Sequence, residues 1–254
     1  MDRETLSAPW NMAVDEALLR SFKSGDLPVL RIYRWKRALS FGRFSRIEDL
    51  IEMGLLQQKR LSYARRITGG GILVHGGDIS YALIVPASFS KELGVKGCYR
   101  HLCRFLIEFY ERLGLSAAFA AEAGVPESGS GICLAGHEAY DIVIDGMKIG
   151  GNAQRHGREA MLQHGSIPLW YEGEFFKPLF LKESGLDETA SLRKSGITLG
   201  VESLMEKLIE TFAATFDARL LTGGLTKREE TAARELYARK YSQESWNLHA
   251  NEPA

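Results

Sequence analysis

Two stretches of this chain carry residue types whose spacing suits chemistry on an acyl or anionic group. In the first, Arg65, Arg66 and Thr68 lead into Gly69, Gly70 and Gly71, an apolar run ends at His75, and Asp78 follows two further glycines. Consecutive glycines carry no Cβ, so a ligand can press against main-chain N–H groups there, although the glycines alone fit a mobile surface turn equally well. The basic pair before them and the His/Asp pair after them favour a site. In the second stretch, Lys148 starts the return strand of a hairpin and runs into Gly150, Gly151 and Asn152. An ammonium beside small residues at a strand end can be a fixed donor to an acyl or phosphoryl oxygen. His164 stands in the middle of the next strand, and it joins His75 and His137 as a candidate for proton transfer. Imidazole titrates near neutrality, yet for any one of them alone a structural role is the commoner outcome; His75, beside the loop and Asp78, is the best placed.

These groups need a framework, and periodicity supplies one. Residues 11–22 put Met12, Ala13, Ala17, Leu18 and Leu19 near one helical face. Residues 29–35 and 38–41 read as strands and, across a short charged turn, as an antiparallel pair; in Arg43-Phe44-Ser45-Arg46 just beyond, an arginine can reach an anion, although a solvated surface arginine is the commoner outcome. A short helix is expected over 47–54, and strands over 61–64 and 72–85, the latter closed by Pro86. Leu102, Phe105, Leu106, Phe109 and Leu113 recur at helical spacing over 98–113, with Gly114 as the stop and with Cys98 and Cys103 packed rather than reactive. Residues 122–131 read as loop. Strand 140–144 and the strand beginning at Lys148 flank Asp145-Gly146, a strong two-residue hairpin signal, and 160–169 is a further strand. Helices are expected over 175–181, 199–216 and 227–241. The fold class is α+β, with a mixed, largely antiparallel sheet flanked by helices. The expected organisation is one domain over 1–254, in which helices 199–241 can stand as a small subdomain.

Global properties narrow the partners. The chain has 254 residues, 45% hydrophobic and 25% charged, and its 32 basic and 32 acidic side chains cancel. No whole-molecule field draws in nucleic acid or a membrane surface, so recognition is local. The first residues lack a secretory pattern, and no apolar run approaches the ~18 residues of a spanning helix. A cytoplasmic protein is expected. Cys98, Cys103 and Cys133 are odd in number and lack metal-ligand spacing, so free thiols and no metal site are expected.

Arg-Arg-x-Thr-Gly-Gly-Gly with its following histidine, and Lys-Ile-Gly-Gly-Asn-Ala-Gln with its following His-Gly, closely resemble the lipoate/octanoate transfer superfamily. That group contains lipoate–protein ligases and octanoyltransferases and shares its catalytic fold with biotin–protein ligases. The resemblance runs from Asn11-Met12-Ala13-Val14-Asp15-Glu16-Ala17 to Lys240-Tyr241-Ser242 and Trp246-Asn247, nearly the whole chain. It implies the biotin/lipoate ligase catalytic fold and a tunnel for a medium-length acyl chain. Arg65, Arg66, Thr68, Gly69, Gly70, Gly71, His75, Asp78, Gly150, Gly151, Asn152 and His164 would surround the substrate, and Lys148 would touch its activated carbonyl. The acceptor would be a lysine on a lipoyl-carrier domain, such as the glycine cleavage H protein or a 2-oxoacid dehydrogenase E2.

Two chemistries are open within that resemblance. Cys133, eight positions before Asp141, stands where the LipM-type octanoyltransferases resemble this chain and place their nucleophile. Those enzymes take octanoyl from acyl carrier protein as a cysteine thioester and need no cofactor. A thiolate is a strong nucleophile and leaves readily, and Lys148 or His137 nearby would lower its pKa; an inert loop thiol is the bland alternative. The ligase branch uses ATP and Mg to make an acyl-adenylate, with Arg65, Arg66 and the glycine loop on its phosphate. The third glycine and Gly151-Asn152-Ala153-Gln154 are ligase-like, whereas the chain ends soon after Trp246, where a full ligase carries an accessory domain of roughly a hundred residues. A non-catalytic scaffold for lipoyl domains ranks low because Lys148 is present, and biotin transfer is disfavoured.

Overall fold

A computed structural model describes residues 4–126 and 138–252 of the chain. In order, β1 (Thr5–Leu6) precedes α1 (Ala8–Ser21), β2 (Val29–Trp35), β3 (Ala38–Phe41), α2 (Met53–Gln58), β4 (Ser62–Arg65), β5 (Ile72–His75) and β6 (Asp78–Pro86). Then come α3 (Ala87–Arg112), β7 (Ala117–Phe119), β8 (Ile142–Ile144), β9 (Met147–Lys148), β10 (Gly151–His156) and β11 (Ala160–Pro168). The chain continues through α4 (Gly173–Phe176), α5 (Val201–Thr215), α6 (Lys227–Leu236) and α7 (Glu244–Asn247).

The main sheet has five strands in the order β1-β2-β6-β11-β10, antiparallel except at β1. Both of its faces are covered, which is why β6 reads as a continuous apolar run. Tyr81, Leu83 and Val85 face a core with α3 and α5; Ala82 and Ile84 face one with α1 and α6. The helices of 199–241 thus pack on opposite faces of the sheet, α5 on α3 and α6 on α1. A second sheet, β4-β3-β5, packs its own apolar cluster against the 47–58 and 175–186 segments. A third, β7-β8-β9, carries Lys148. The expected α+β class with largely antiparallel sheets is the one observed.

Three local expectations need correction. The strands β2 and β3 do not pair: β2 lies against β6, and β3 is held between β4 and β5. A two-residue hairpin needs left-handed backbone at its turn. Asp145 and Gly146 supply it, with φ of 50° and 77°, and their hairpin forms; Lys36 and Arg37 have no positive φ, so the chain passes there from one sheet to the next. The helix expected over 47–54 is split into a 3-10 turn, Ile47–Asp49, and α2, because Ile51 makes a bridge to Phe180 and the Glu52 N–H donates to the Leu179 carbonyl. The helix expected from Cys98 starts earlier, at Ala87, with a kink at Gly94.

Candidate acyl site

Where the two larger sheets meet α1, a cavity of about 370 Å³, its open mouth included, is walled by Met12, Trp35, Gly70, Leu73, Gly151 and Ala153. Its polar lining comes from Ser40, Arg66, His75, Asn152, His164 and Ser166.

On one side stands His75, the last residue of β5. Its Nδ1 lies 2.8 Å from Asp78 Oδ2, its Nε2 2.7 Å from Ser40 Oγ, and its ring stacks on Trp35 with centroids 3.9 Å apart. Asp78 also accepts from the Ser166 hydroxyl (2.8 Å), the Ser80 hydroxyl (3.1 Å) and the Gly76 N–H (3.0 Å). Burial works to raise the Asp78 pKa, but His75, Gly76 and Ser166 together hold it below the usual carboxylate value. It stays an anion and fixes His75.

On the other side is a second His–carboxylate pair. His164 Nδ1 is 3.2 Å from Asp15 Oδ2 on α1, and its Nε2 is 2.7 Å from Thr68 Oγ1. Asp15 is bound by Arg31 at 2.7 Å and by the Tyr33 hydroxyl at 2.9 Å. Burial pushes the His164 pKa down, and with the nearby Arg66 and His75 it outweighs the Asp15 carboxylate. His164 is therefore a neutral imidazole near neutrality, its Nδ1–H toward Asp15 and its Nε2 accepting from Thr68.

The glycine loop is held by close main-chain approach. Gly70 has a φ of 89°, and a Cβ on Gly42 would lie 1.7 Å from the Gly70 carbonyl oxygen. The Gly42 N–H donates to the Gly71 carbonyl (3.0 Å) and the Arg43 N–H to that of Thr68 (2.8 Å). Arg66 donates to the Ser40 hydroxyl (2.7 Å), the Ser40 carbonyl (2.9 Å) and the carbonyls of Gly69 (3.3 Å) and Gly71 (2.8 Å).

Arg65 is placed differently from its expected role on an anion. Its guanidinium donates to the carbonyls of Gly42, Arg43, Ser45, Trp246, Asn247 and Leu248 at 2.6–3.2 Å. The Arg65 N–H donates to Asn247 Oδ1 (3.0 Å), and Trp246 Nε1 donates back to the Arg65 carbonyl (3.0 Å). Arg65 does not line the cavity. It ties the C-terminal segment to the base of the loop.

Lys148 is buried, with its Nζ 2.5 Å from Asp141 Oδ2, which also accepts from the Glu138 N–H. Neither Lys148 nor Gly150 lines the cavity, but Gly151, three residues on, does. Gly150 has φ 68°, and a Cβ there would meet the Ser166 carbonyl at 2.0 Å, so the hairpin's exit packs directly on β11. Cys133 and His137 lie outside the described residues. Cys98 and Cys103 are buried free thiols whose pKa burial raises, which makes them poor nucleophiles.

Of the residues expected at the site, the cavity brings together Arg66, Gly70, His75, Gly151, Asn152 and His164, with Thr68 and Asp78 behind the histidines. Gly69 and Gly71 touch it through Arg66. Sequence reasoning passed over Asp15, Arg31, Trp35, Ser40 and Gly42. Asp15 left a signal: it stands with Glu16 among apolar residues on a helix, and both are buried. Ser40 and Gly42 left none, because their partners, Arg66, His75 and the glycine loop, are distant in sequence.

Fold and site define an enzyme with an open, largely apolar pocket rimmed by the glycine loop, and the comparisons agree: the chain belongs to the lipoyl protein ligase A/B catalytic domain family, whose model matches residues 7–222. It is 33% identical to octanoyltransferase LipM of Kyrpidia tusciae, across 95% of this chain and 94% of that protein. It is 31% identical to octanoyltransferase LipM of Clostridioides difficile, across 93% of each. Among solved structures, it matches a lipoate-protein ligase A bound with ATP at a TM-score of 0.82 and 26% identity, covering 94% and 93% of the two chains. A Thermoplasma acidophilum protein described as a candidate lipoate protein ligase, with lipoic acid bound, matches at 0.83 and 25%, covering 97% and 96%. That ATP-bound ligase is covered almost in full, so a chain of this length does not separate transferase from ligase.

Among the described residues no helix is long and apolar enough to cross a membrane.

Proposed function

We propose that the protein transfers an octanoyl group from acyl carrier protein to the lysine of a lipoyl-carrier domain, through a thioester on Cys133. The observation that carries this is the cavity: apolar walls from Met12, Trp35 and Leu73 suit a short acyl tail, and the glycine loop and the exit of the Lys148 hairpin border it. The LipM relatives, similar over more than nine-tenths of the chain, favour octanoyl and a carrier-protein donor.

In this reading the Cys133 thiolate attacks the octanoyl thioester carbonyl. The new C–S bond forms, the bond to the carrier's thiol breaks, and that thiolate leaves and takes up a proton. The acceptor amine then attacks the acyl-enzyme, a C–N bond replaces C–S, and the amine's proton passes to the departing Cys133 sulfur. Each step develops negative charge on the carbonyl oxygen. Lys148, fixed by Asp141, and the loop N–H groups are the donors suited to stabilise it. The thioester is already activated, so this route needs no cofactor. Acceptors of the right chemistry include the glycine cleavage H protein and 2-oxoacid dehydrogenase E2 domains, and the cytoplasm is where such partners reside.

The ATP-dependent ligase is the second reading, favoured by the ATP-bound neighbour. It would need Mg and ATP, with a phosphate near the glycine loop. The donor set fits that poorly: Arg65 is engaged with six carbonyls, and Arg66 binds Ser40 and the loop's own carbonyls. The test is a Cys133→Ser protein supplied with octanoyl carrier protein and a lipoyl domain. Transfer should fall by at least about a thousandfold, in the range typical for loss of a nucleophile; unchanged transfer would remove the thioester route. A Lys148→Ala protein that modified lipoyl domains normally would instead revive a role without chemistry at this hairpin.

A further inference from the structure

The two ends of the glycine loop are pinned by main-chain bonds, but its middle is set by side chains. Arg66 can only donate, so Ser40 Oγ accepts from it at 2.7 Å. The single Ser40 hydroxyl hydrogen is then directed at the other neighbour of that oxygen, His75 Nε2, also at 2.7 Å. The Asp78 carboxylate can only accept, so the imidazole proton sits on Nδ1, facing Oδ2 at 2.8 Å, and Nε2 is left to accept from the Ser40 hydroxyl. The line Arg66, Ser40, His75, Asp78 has one direction, from cation to carboxylate, and crosses from the loop through β3 and β5 to β6. All four residues are buried, and a buried polar chain that is satisfied in only one orientation rigidifies what it touches. At its loop end, Arg66 holds the carbonyls of Gly69 and Gly71. Each carbonyl shares its peptide plane with the next residue's N–H, so Arg66 sets the direction of the Gly70 N–H, at the cavity wall, and of the Ile72 N–H.

We propose that Ser40 is a positioning residue for the acyl site: it couples the His75–Asp78 pair to Arg66 and so sets the peptide planes of Gly69–Gly71 that receive the acyl carbonyl. This rests on the acyl-transfer reading of the cavity. Ser40 lies on the middle strand of its sheet, at the cavity wall between Arg66 and His75, where an alanine would keep the packing and break both links. Asp78 is four hydrogen bonds from the glycines along this line and also binds Ser166, Ser80 and Gly76, so the Ser40→Ala background separates an effect carried by the line from one carried by those other partners.

The experiment uses the full chain labelled with 15N-glycine, as wild type, Ser40→Ala, Asp78→Asn and the double variant, with octanoyl carrier protein and a lipoyl domain for kinetics. Ser40→Ala should move the amide resonances of Gly69–Gly71 while those of Gly114 and Gly146 stay in place. It should lower kcat about ten- to a hundredfold, as a displaced reacting group does, with KM for the lipoyl domain within about twofold. Asp78→Asn should move the same three resonances in the wild-type background and not in the Ser40→Ala background. Loop resonances that ignore Ser40→Ala, or that respond to Asp78→Asn equally with and without Ser40, overturn the proposal. Should Ser40→Ala fail to fold, Ser40→Cys, which keeps the size with a weaker donor and acceptor, must show the same shifts. A wild-type protein that transfers no octanoyl group defeats the acyl-transfer reading itself, while the glycine resonances still decide the coupling.

Discussion

Arg65 and Arg66 are adjacent, identical in type and both buried, yet they serve opposite sides of the same loop. Successive side chains of an extended segment point to opposite faces. Arg65, at the end of β4, therefore reaches the C-terminal segment and gathers six carbonyls, whereas Arg66 reaches the cavity and holds Ser40 and the glycines. One is a clamp between distant parts of the chain; the other shapes a ligand wall. The clamp explains why the late residues matter to a site far from them in sequence. Trp246 and Asn247 bond to Arg65, and Lys240 lies buried between Glu16 and Glu252, with its Nζ 3.7 Å from the centre of the Trp246 ring.

The contrast breaks if the two arginines respond alike to substitution. Arg65→Ala should cost about 3–5 kcal/mol in chemical denaturation, since several buried carbonyls lose their donor at ~1–3 kcal/mol each. Arg65→Lys should recover less than half of that, because an ammonium cannot match the guanidinium fork. Arg66→Lys should cost only about 1–2 kcal/mol of stability but lower kcat more than tenfold, a ratio of effects opposite to that at Arg65. Gly42→Ala lies on the border between them. Its Cβ would sit 1.7 Å from the Gly70 oxygen, so the loop must move, and a loss of about 1–3 kcal/mol should come with reduced turnover. Trp246→Phe, which removes one hydrogen bond of the clamp, should cost about 1 kcal/mol and leave kcat unchanged.

The smallest effect separates the two histidine pairs by pH. The folded-state pKa of His164 is lowered from 6.5 by burial, so between that value and its folded pKa the unfolded chain binds the extra proton. Stability should be level above about pH 6.5 and fall as the pH drops below it. Asp78 has the opposite charge but the same sign of slope, in a lower window: its contribution is lost as pH falls through and below 3.8. Denaturation midpoints of wild type and His164→Gln between pH 5 and pH 8 check this, and the variant should show the shallower slope.

How much of this was legible in the sequence depends on the range of the interaction. The Asp145-Gly146 hairpin, the long helix with Phe105 and Phe109 on its buried stripe, and the strand through His164 were readable because each is specified by neighbours within a few residues. The failed pairing of β2 with β3 was not, since it turns on which distant strand takes each edge. The same holds at the site. His75 and Asp78 are three residues apart and announced themselves, while Asp15 reaches His164 across 149 positions, and Arg65 meets the C-terminal segment across more than 180. Residue type alone could not tell the clamping arginine from the cavity arginine.

The central claim is that this cavity passes an octanoyl group through Cys133, and intact mass tests it directly. Wild type and Cys133→Ser are incubated either with octanoyl carrier protein or with octanoate plus Mg-ATP. The account predicts one octanoyl adduct on the wild type from the carrier protein, removed by hydroxylamine and absent in Cys133→Ser. No adduct from the carrier protein, together with modification of a lipoyl domain from octanoate and Mg-ATP, would contradict it.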